Sequence, residues 1–86
     1  MGDETVGSDP IGAMLGHVVK AMVDHPNWVR VSHSGDASSD AYEVVVDNAD
    51  LGKVIGKQGR VANSLRMVAK AVAEKRERRI YVDFTS

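Results

Sequence analysis

Two glycines, Gly56 and Gly59, interrupt a helical pattern in the stretch Leu51-Gly52-Lys53-Val54-Ile55-Gly56-Lys57-Gln58-Gly59-Arg60. Before them the pattern predicts a short helix over about Ala49–Ile55, with Asn48 or Asp50 near its cap; after them a second helix runs from about Arg60 to Lys75. Behind this pair comes a strand, Arg79–Phe84, in which Ile80, Val82 and Phe84 alternate inward against Arg79, Tyr81 and Asp83. A strand reached through a two-helix crossover must lie parallel to an earlier strand, by a right-handed connection. The helices must then cover one face of the sheet.

Earlier strands are available. Val29 and Val31 alternate with Arg30 and Ser32 in Trp28–His33, and Tyr42, Val44 and Val46 alternate with Glu43 and Asp47 in Ala41–Asp47. The segment Ser34–Asp40 between them reads as a plain loop, too long for a tight hairpin turn and the most mobile piece of the chain. Upstream, Asp9 suits a helix cap and Pro10 the first helical position, and Ile11, Met14, Leu15, Val18, Val19, Met22 and Val23 form one apolar stripe. Pro26 disfavours helical geometry at His25, so this helix stops near Asp24. On the helix after the glycines, Val61, Leu65, Val68 and Val72, flanked by Ala62, Ala69 and Ala73, make the expected buried stripe, with Asn63, Arg66, Lys70 and Glu74 on the wet side. Residues 1–8 are polar and unpatterned, a disordered tail; residues 9–86 form one domain. The expected fold is α+β, in the order α-β-β-α-α-β, with a three-stranded mixed sheet and three helices on one face.

Eighty-six residues leave room for a single domain with a modest core. The chain has no cysteine, which excludes disulfides and thiolate metal sites and permits a reducing, cytoplasmic setting. No apolar run approaches the ~18 residues of a membrane span, and the acidic start MGDETVGSD is no signal peptide. Met1-Gly2 would open a myristoylation motif, but Val6 stands where Ser or Thr is required. The net charge of −1 hides a split. Residues 1–50 carry Lys20 and Arg30 against nine acids, a balance of −7; residues 51–86 carry nine bases against Glu74, Glu77 and Asp83, a balance of +6. Such asymmetry is a hint of nucleic-acid contact, although most charge runs are solvated faces.

The segment Val54-Ile55-Gly56-Lys57-Gln58-Gly59, set between two helices, resembles the KH family's signature, (V/I)IGxxGxx(I/V). It departs from that signature at the last aliphatic position, where Ala62 stands with Val61 just before it. The element order resembles the type II, prokaryotic-style KH fold. The match is closer still to the small bacterial single-KH proteins of the KhpA type, through Asp24-His25-Pro26 and the centre Asp50–Arg60; the resemblance covers about residues 11–84. It implies a non-enzymatic protein that grips single-stranded RNA and acts as an RNA chaperone or post-transcriptional regulator, in a pathway governing cell envelope and division. It also implies a homodimer, or a heterodimer with a larger KH-containing partner. The groove floor it implies is Val54, Ile55 and Val61, with Arg66 or Lys70 along a wall; which of the apolar three face the ligand the sequence leaves open.

The physics of the motif agrees. A Gly-x-x-Gly link between helices can clamp a sugar-phosphate backbone. Glycines let the main chain approach closely, and the start of the second helix offers N–H groups to phosphate. Lys53, Lys57 and Arg60 add positive charge, and Gln58 can hydrogen-bond phosphate or sugar. Trp28, Tyr42, Tyr81 and Phe84 fall on strands and are expected to pack the sheet rather than stack bases.

Other chemistries fit less well. A P-loop reading of Gly52 to Lys57 fails because three residues, not four, separate its glycines and Gln58 replaces the Mg²⁺-binding Ser or Thr. His17, His25 and His33 lie eight apart on different elements, so no metal site and no cofactor are expected. No serine sits in a Gly-x-Ser-x-Gly elbow, and no nucleophile has a base beside it. Met67, with Ser64 and Ala71 on the wet side of its helix, is a candidate dimer contact. The competing reading is a protein-interaction and dimerisation module with weak or no RNA binding.

Overall fold

Asp9 caps the first helix: its Oδ1 accepts from the N–H groups of Ile11 at 3.0 Å and Gly12 at 3.4 Å. A cap of this kind stabilises a helix by about 1 kcal/mol. The computed structural model describes residues 9–86, and the tail expected over residues 1–8 lies outside the described residues. Helix α1 (Pro10–Met22) is followed by a 3-10 turn (Pro26–Trp28), strands β1 (Arg30–Gly35) and β2 (Ser39–Val45), a second 3-10 turn (Asn48–Asp50), helix α2 (Leu51–Ile55), a third such turn (Lys57–Gly59), helix α3 (Arg60–Glu74) and strand β3 (Arg79–Thr85). The sheet runs β1-β2-β3, with β1 antiparallel and β3 parallel to the central β2. This is the expected α+β fold with a mixed sheet, the last strand parallel to an earlier one as the two-helix crossover requires.

The core is built by one face of each element. Ile11, Leu15 and Val19 of α1 meet Val29, Tyr42, Val44, Val46 and Val82, with Val54 of α2 and Leu65, Ala69 and Ala73 of α3. Full burial of a side chain such as Val54 contributes about 1.5–3 kcal/mol. Tyr42 also reaches across the layers, its hydroxyl donating to the Asp9 carboxylate. Burial first, then this hydrogen bond, drives the Tyr42 pKa well above the ordinary tyrosine range. The sheet and the cap of α1 are thereby joined.

Three local expectations are corrected. Strand β1 begins at Arg30, not Trp28: the N–H of Val29 bonds the carbonyl of Pro26, closing a turn that leaves the Trp28 ring 63% exposed. The segment between β1 and β2 is a short, tied hairpin instead of a loose seven-residue loop. Asp36 Oδ1 accepts from the N–H groups of Ser38 and Ser39, both at 2.9 Å, and the Arg78 guanidinium donates to the carbonyls of Asp36, Ala37 and Ser39 and to Asp40. On α3 the buried line is Ala62, Leu65, Ala69 and Ala73, and Val68 is 51% exposed. Alanines face the sheet where two layers approach closely, and this rotates the valine outward.

Candidate nucleic-acid interface

Helix α2 ends where Gly56 adopts φ 77°, a backbone conformation that side chains resist, with its N–H bonded to the Gly52 carbonyl at 2.8 Å. Alanine at this position would set its Cβ 2.5 Å from Val61 Cγ2, so the glycine is required on two grounds. Gln58 (φ 57°) and Gly59 (φ 74°) are also left-handed, and α3 starts at Arg60 with no side chain capping its first turn. The link is a tight, outward corner: Lys57, Gln58 and Arg60 are exposed, and Gly56 and Gly59 are half-buried. Its exposed groups are two cations, an amide and the uncapped, electropositive start of a helix, a combination suited to phosphate.

From this corner α3 runs beside β3 in the opposite direction. Arg66 stands against the strand, its Nε donating to the Val82 carbonyl at 2.9 Å, its Nη1 to Asn63 Oδ1 at 3.0 Å, and its guanidinium carbon 5.3 Å from the centre of the Phe84 ring. Asn63, Arg66, Met67 and Lys70 of α3 and Ile80–Asp83 of β3 line a groove of about 610 Å³, closed on the strand side by Ala41 and Tyr42.

The expected contact residues do not all meet there. Arg66 and Lys70 line the groove, Ile55 is half-buried near the corner, and Val61 packs partly into the core. Val54 is fully buried, which removes it from the groove floor: the α2 turn that carries Lys53 outward points Val54 into the core. Lys53 pairs with Asp24, which raises its pKa through that hydrogen bond. Both partners are substantially exposed, so phosphate can compete for the ammonium. Ser64, Met67 and Ala71, the candidate contact of the sequence, are exposed on α3, and Met67, 71% exposed, lines the groove.

Sequence reasoning missed what holds the corner in place. The buried Asp50 carboxylate accepts from the N–H of Asp24 at 3.1 Å and from the N–H and Nδ1 of His25 at 2.9 and 3.0 Å; Asp47 lies 3.3 Å from the same imidazole nitrogen. Burial pushes the Asp50 carboxyl upward, but these donors outweigh it and hold it below the ordinary range. The hydrogen bond to Asp50, with the charges of Asp47, Asp50 and Asp24, raises the His25 pKa. The cluster gathers the donor atoms of His25, Asp47 and Asp50 within 4.8 Å, yet both Asp50 oxygens are occupied by N–H groups. It works as a latch between α2 and the turn after α1. Asn63 and Tyr81 also join the groove without having been expected there.

Comparison with known proteins agrees with this architecture. The family described as "KhpA/KhpB, KH domain" matches residues 13–84. The protein of Halalkalibacterium halodurans called RNA-binding protein KhpA is 49% identical over 70 residues, 81% of this chain and 92% of its own length. Its namesake in Leifsonia xyli is 46% identical over 68 residues, 79% of this chain and 90% of the relative. The crystal structure of Era in complex with MgGDPNP and nucleotides 1506–1542 of 16S ribosomal RNA aligns with a TM-score of 0.60 at 19% identity, covering 87% of this chain and 30% of Era. That likeness is one of fold.

Proposed function

The chain belongs to the family of KhpA/KhpB KH domains, and from that premise we propose that it binds single-stranded RNA through the Gly56–Gly59 corner and the groove beside α3. The observation that carries the reading is the exposed Lys57-Gln58 pair, held between two left-handed glycines at the start of α3 and continuous with Arg66 and Lys70. Gly56, Lys57, Gln58, Gly59 and Arg60 grip the sugar-phosphate backbone, with Lys53 released from Asp24 to add a cation. Ile55, Arg66 and Lys70 meet the bases of about four unstacked nucleotides. Relatives carrying the name RNA-binding protein support the ligand class. The family is one of RNA-binding domains and not an enzyme family.

In this reading the protein is an RNA chaperone or post-transcriptional regulator of the cytoplasm. It pairs with a second copy, or with a larger KH-containing partner, through the outward side of α3, and exposure of Val68 beside Ser64 and Ala71 supports that contact. Pairing two grips raises affinity for long strands through effective concentration.

The test is a Lys57→Asp/Gln58→Asp double variant measured by fluorescence anisotropy on short single-stranded RNA. It keeps its circular dichroism spectrum and loses binding, whereas the unaltered protein binds less tightly as salt rises. Undiminished affinity in the variant would remove the clamp.

A further inference from the structure

Tyr81 is the aromatic residue of the sheet that the fold leaves in water, 59% exposed, while Tyr42 is buried and Phe84 half-buried. Strand alternation explains this. Ile80 and Val82 turn toward the helices, so Tyr81 projects from the opposite face, with Arg79 and Asp83 two positions to either side. Its partner in the register with β2 is Ala41, whose methyl group leaves a step beside the ring.

The ring is also continuous with the groove. The cavity that begins at Asn63 and Arg66 extends to Met67, Lys70, Tyr81 and Ala41 across the free edge of β3, and Lys70, Arg79, Ile80 and Tyr81 line an adjoining recess. Lys70 lies eleven residues beyond Gly59. At 1.5 Å per residue that is about 16 Å along the helix, so a strand fixed at the corner arrives at Tyr81 with bases past those the corner itself holds. Lys70 and Arg79 line that recess together, with Glu74 as its acid, and Asp83 and Glu43 lie farther along the outer face, so phosphate is best accepted on the Lys70–Arg79 side.

We propose that Tyr81 is a stacking platform for a nucleobase leaving the groove, an extension of the RNA site onto the outer face of the sheet. The proposal rests on the RNA-binding reading given above. An aromatic face accepts any base, so the platform lengthens the bound segment without dictating sequence. A protein partner fits this face less well. Arg79 and Asp83 flank the ring on its own strand, and Ser32, Ser34 and Glu43 keep the rest of this face polar, whereas docking surfaces present broader apolar patches.

The experiment compares Tyr81→Ala, Tyr81→Leu and Tyr81→Trp with the unaltered protein, by anisotropy on a labelled single strand longer than four nucleotides. Loss of one base stack is worth about a 5- to 150-fold weakening. Tyr81→Ala and Tyr81→Leu show that loss, and Tyr81→Trp restores affinity. In a Trp28→Phe background the new indole is quenched as RNA is added. Equal affinity of the alanine variant and the unaltered protein overturns the proposal and leaves the clamp standing, as does a change in sedimentation without a change in RNA affinity. Failure of the unaltered protein to bind any single strand overturns both.

Discussion

His25 donates to the Asp50 carboxylate twice, from its backbone N–H at 2.9 Å and from imidazole Nδ1 at 3.0 Å, so a buried acid at the start of α2 fixes the turn that ends α1. Asp50→Asn keeps the size of the side chain but supplies one acceptor oxygen where two oxygens serve three donors. At least one donor is left unpaired against the new amide. The expected result is a fall in Tm of about 5–10 °C for a domain of this size. A variant that melts with the unaltered protein removes the latch from the account.

The same pair sets a pH dependence. The folded pKa of His25 lies above its ordinary 6.5, so its contribution to stability is complete below that value and is lost as pH rises through the folded pKa. The folded pKa of Asp50 lies below its ordinary 3.8, so its contribution is present above that value and is lost as pH falls through the folded pKa. Thermal melts should be highest between these two limbs, in mildly acidic solution. His25→Gln should flatten the alkaline limb; melting curves that coincide with the unaltered protein on that side would show that His25 does not drive it.

Gly56 and Gly59 differ in what surrounds them, and their alanine variants should differ too. A Cβ at Gly56 meets Val61 Cγ2 at 2.5 Å and Val61 N at 2.9 Å, at φ 77°. At Gly59 the nearest atom is the movable Asn63 Nδ2 at 3.7 Å, leaving backbone strain alone. Gly59→Ala is expected to destabilise by about 1 kcal/mol, and Gly56→Ala by about 2–3 kcal/mol as overpacking adds to strain. Urea denaturation gives both values, and the reverse order contradicts the packing described.

The parts of this molecule that follow local rules were legible in the sequence. Asp9-Pro10 announced α1, the alternation Ile80-Val82-Phe84 announced β3, and Gly56 to Gly59 marked the corner between two helices. What escaped depends on partners far apart in the chain. Asp50 and His25 are 25 residues apart, and nothing near either one signals a latch. Arg78 ties the β1–β2 hairpin from 38 to 42 residues away, so a segment rich in Ser and Gly looked loose. The rotation of α3 was misjudged because valines outweigh alanines on any hydrophobic scale, whereas close packing against a sheet favours the smaller residue.

That rotation separates two neighbours and yields a last prediction. Met67 lines the groove with Arg66 and Lys70, and Val68, one position on, lies about 100° around the helix, so the two flank the line of Ser64 and Ala71 on opposite sides, Met67 on the groove side and Val68 away from it. Met67→Asp brings a negative charge beside the proposed RNA path, and affinity for a short strand that fills one site should fall while sedimentation stays unchanged. Val68→Asp places its charge on the proposed pairing face, where desolvating a lone carboxylate is unfavourable. Self-association should weaken while affinity for the short strand stays the same. Long strands, which gain from two linked sites, should then bind Val68→Asp less tightly than the unaltered protein. If both variants lose the dimer and neither loses the short strand, the groove and the pairing face are one surface, and the RNA path must lie elsewhere.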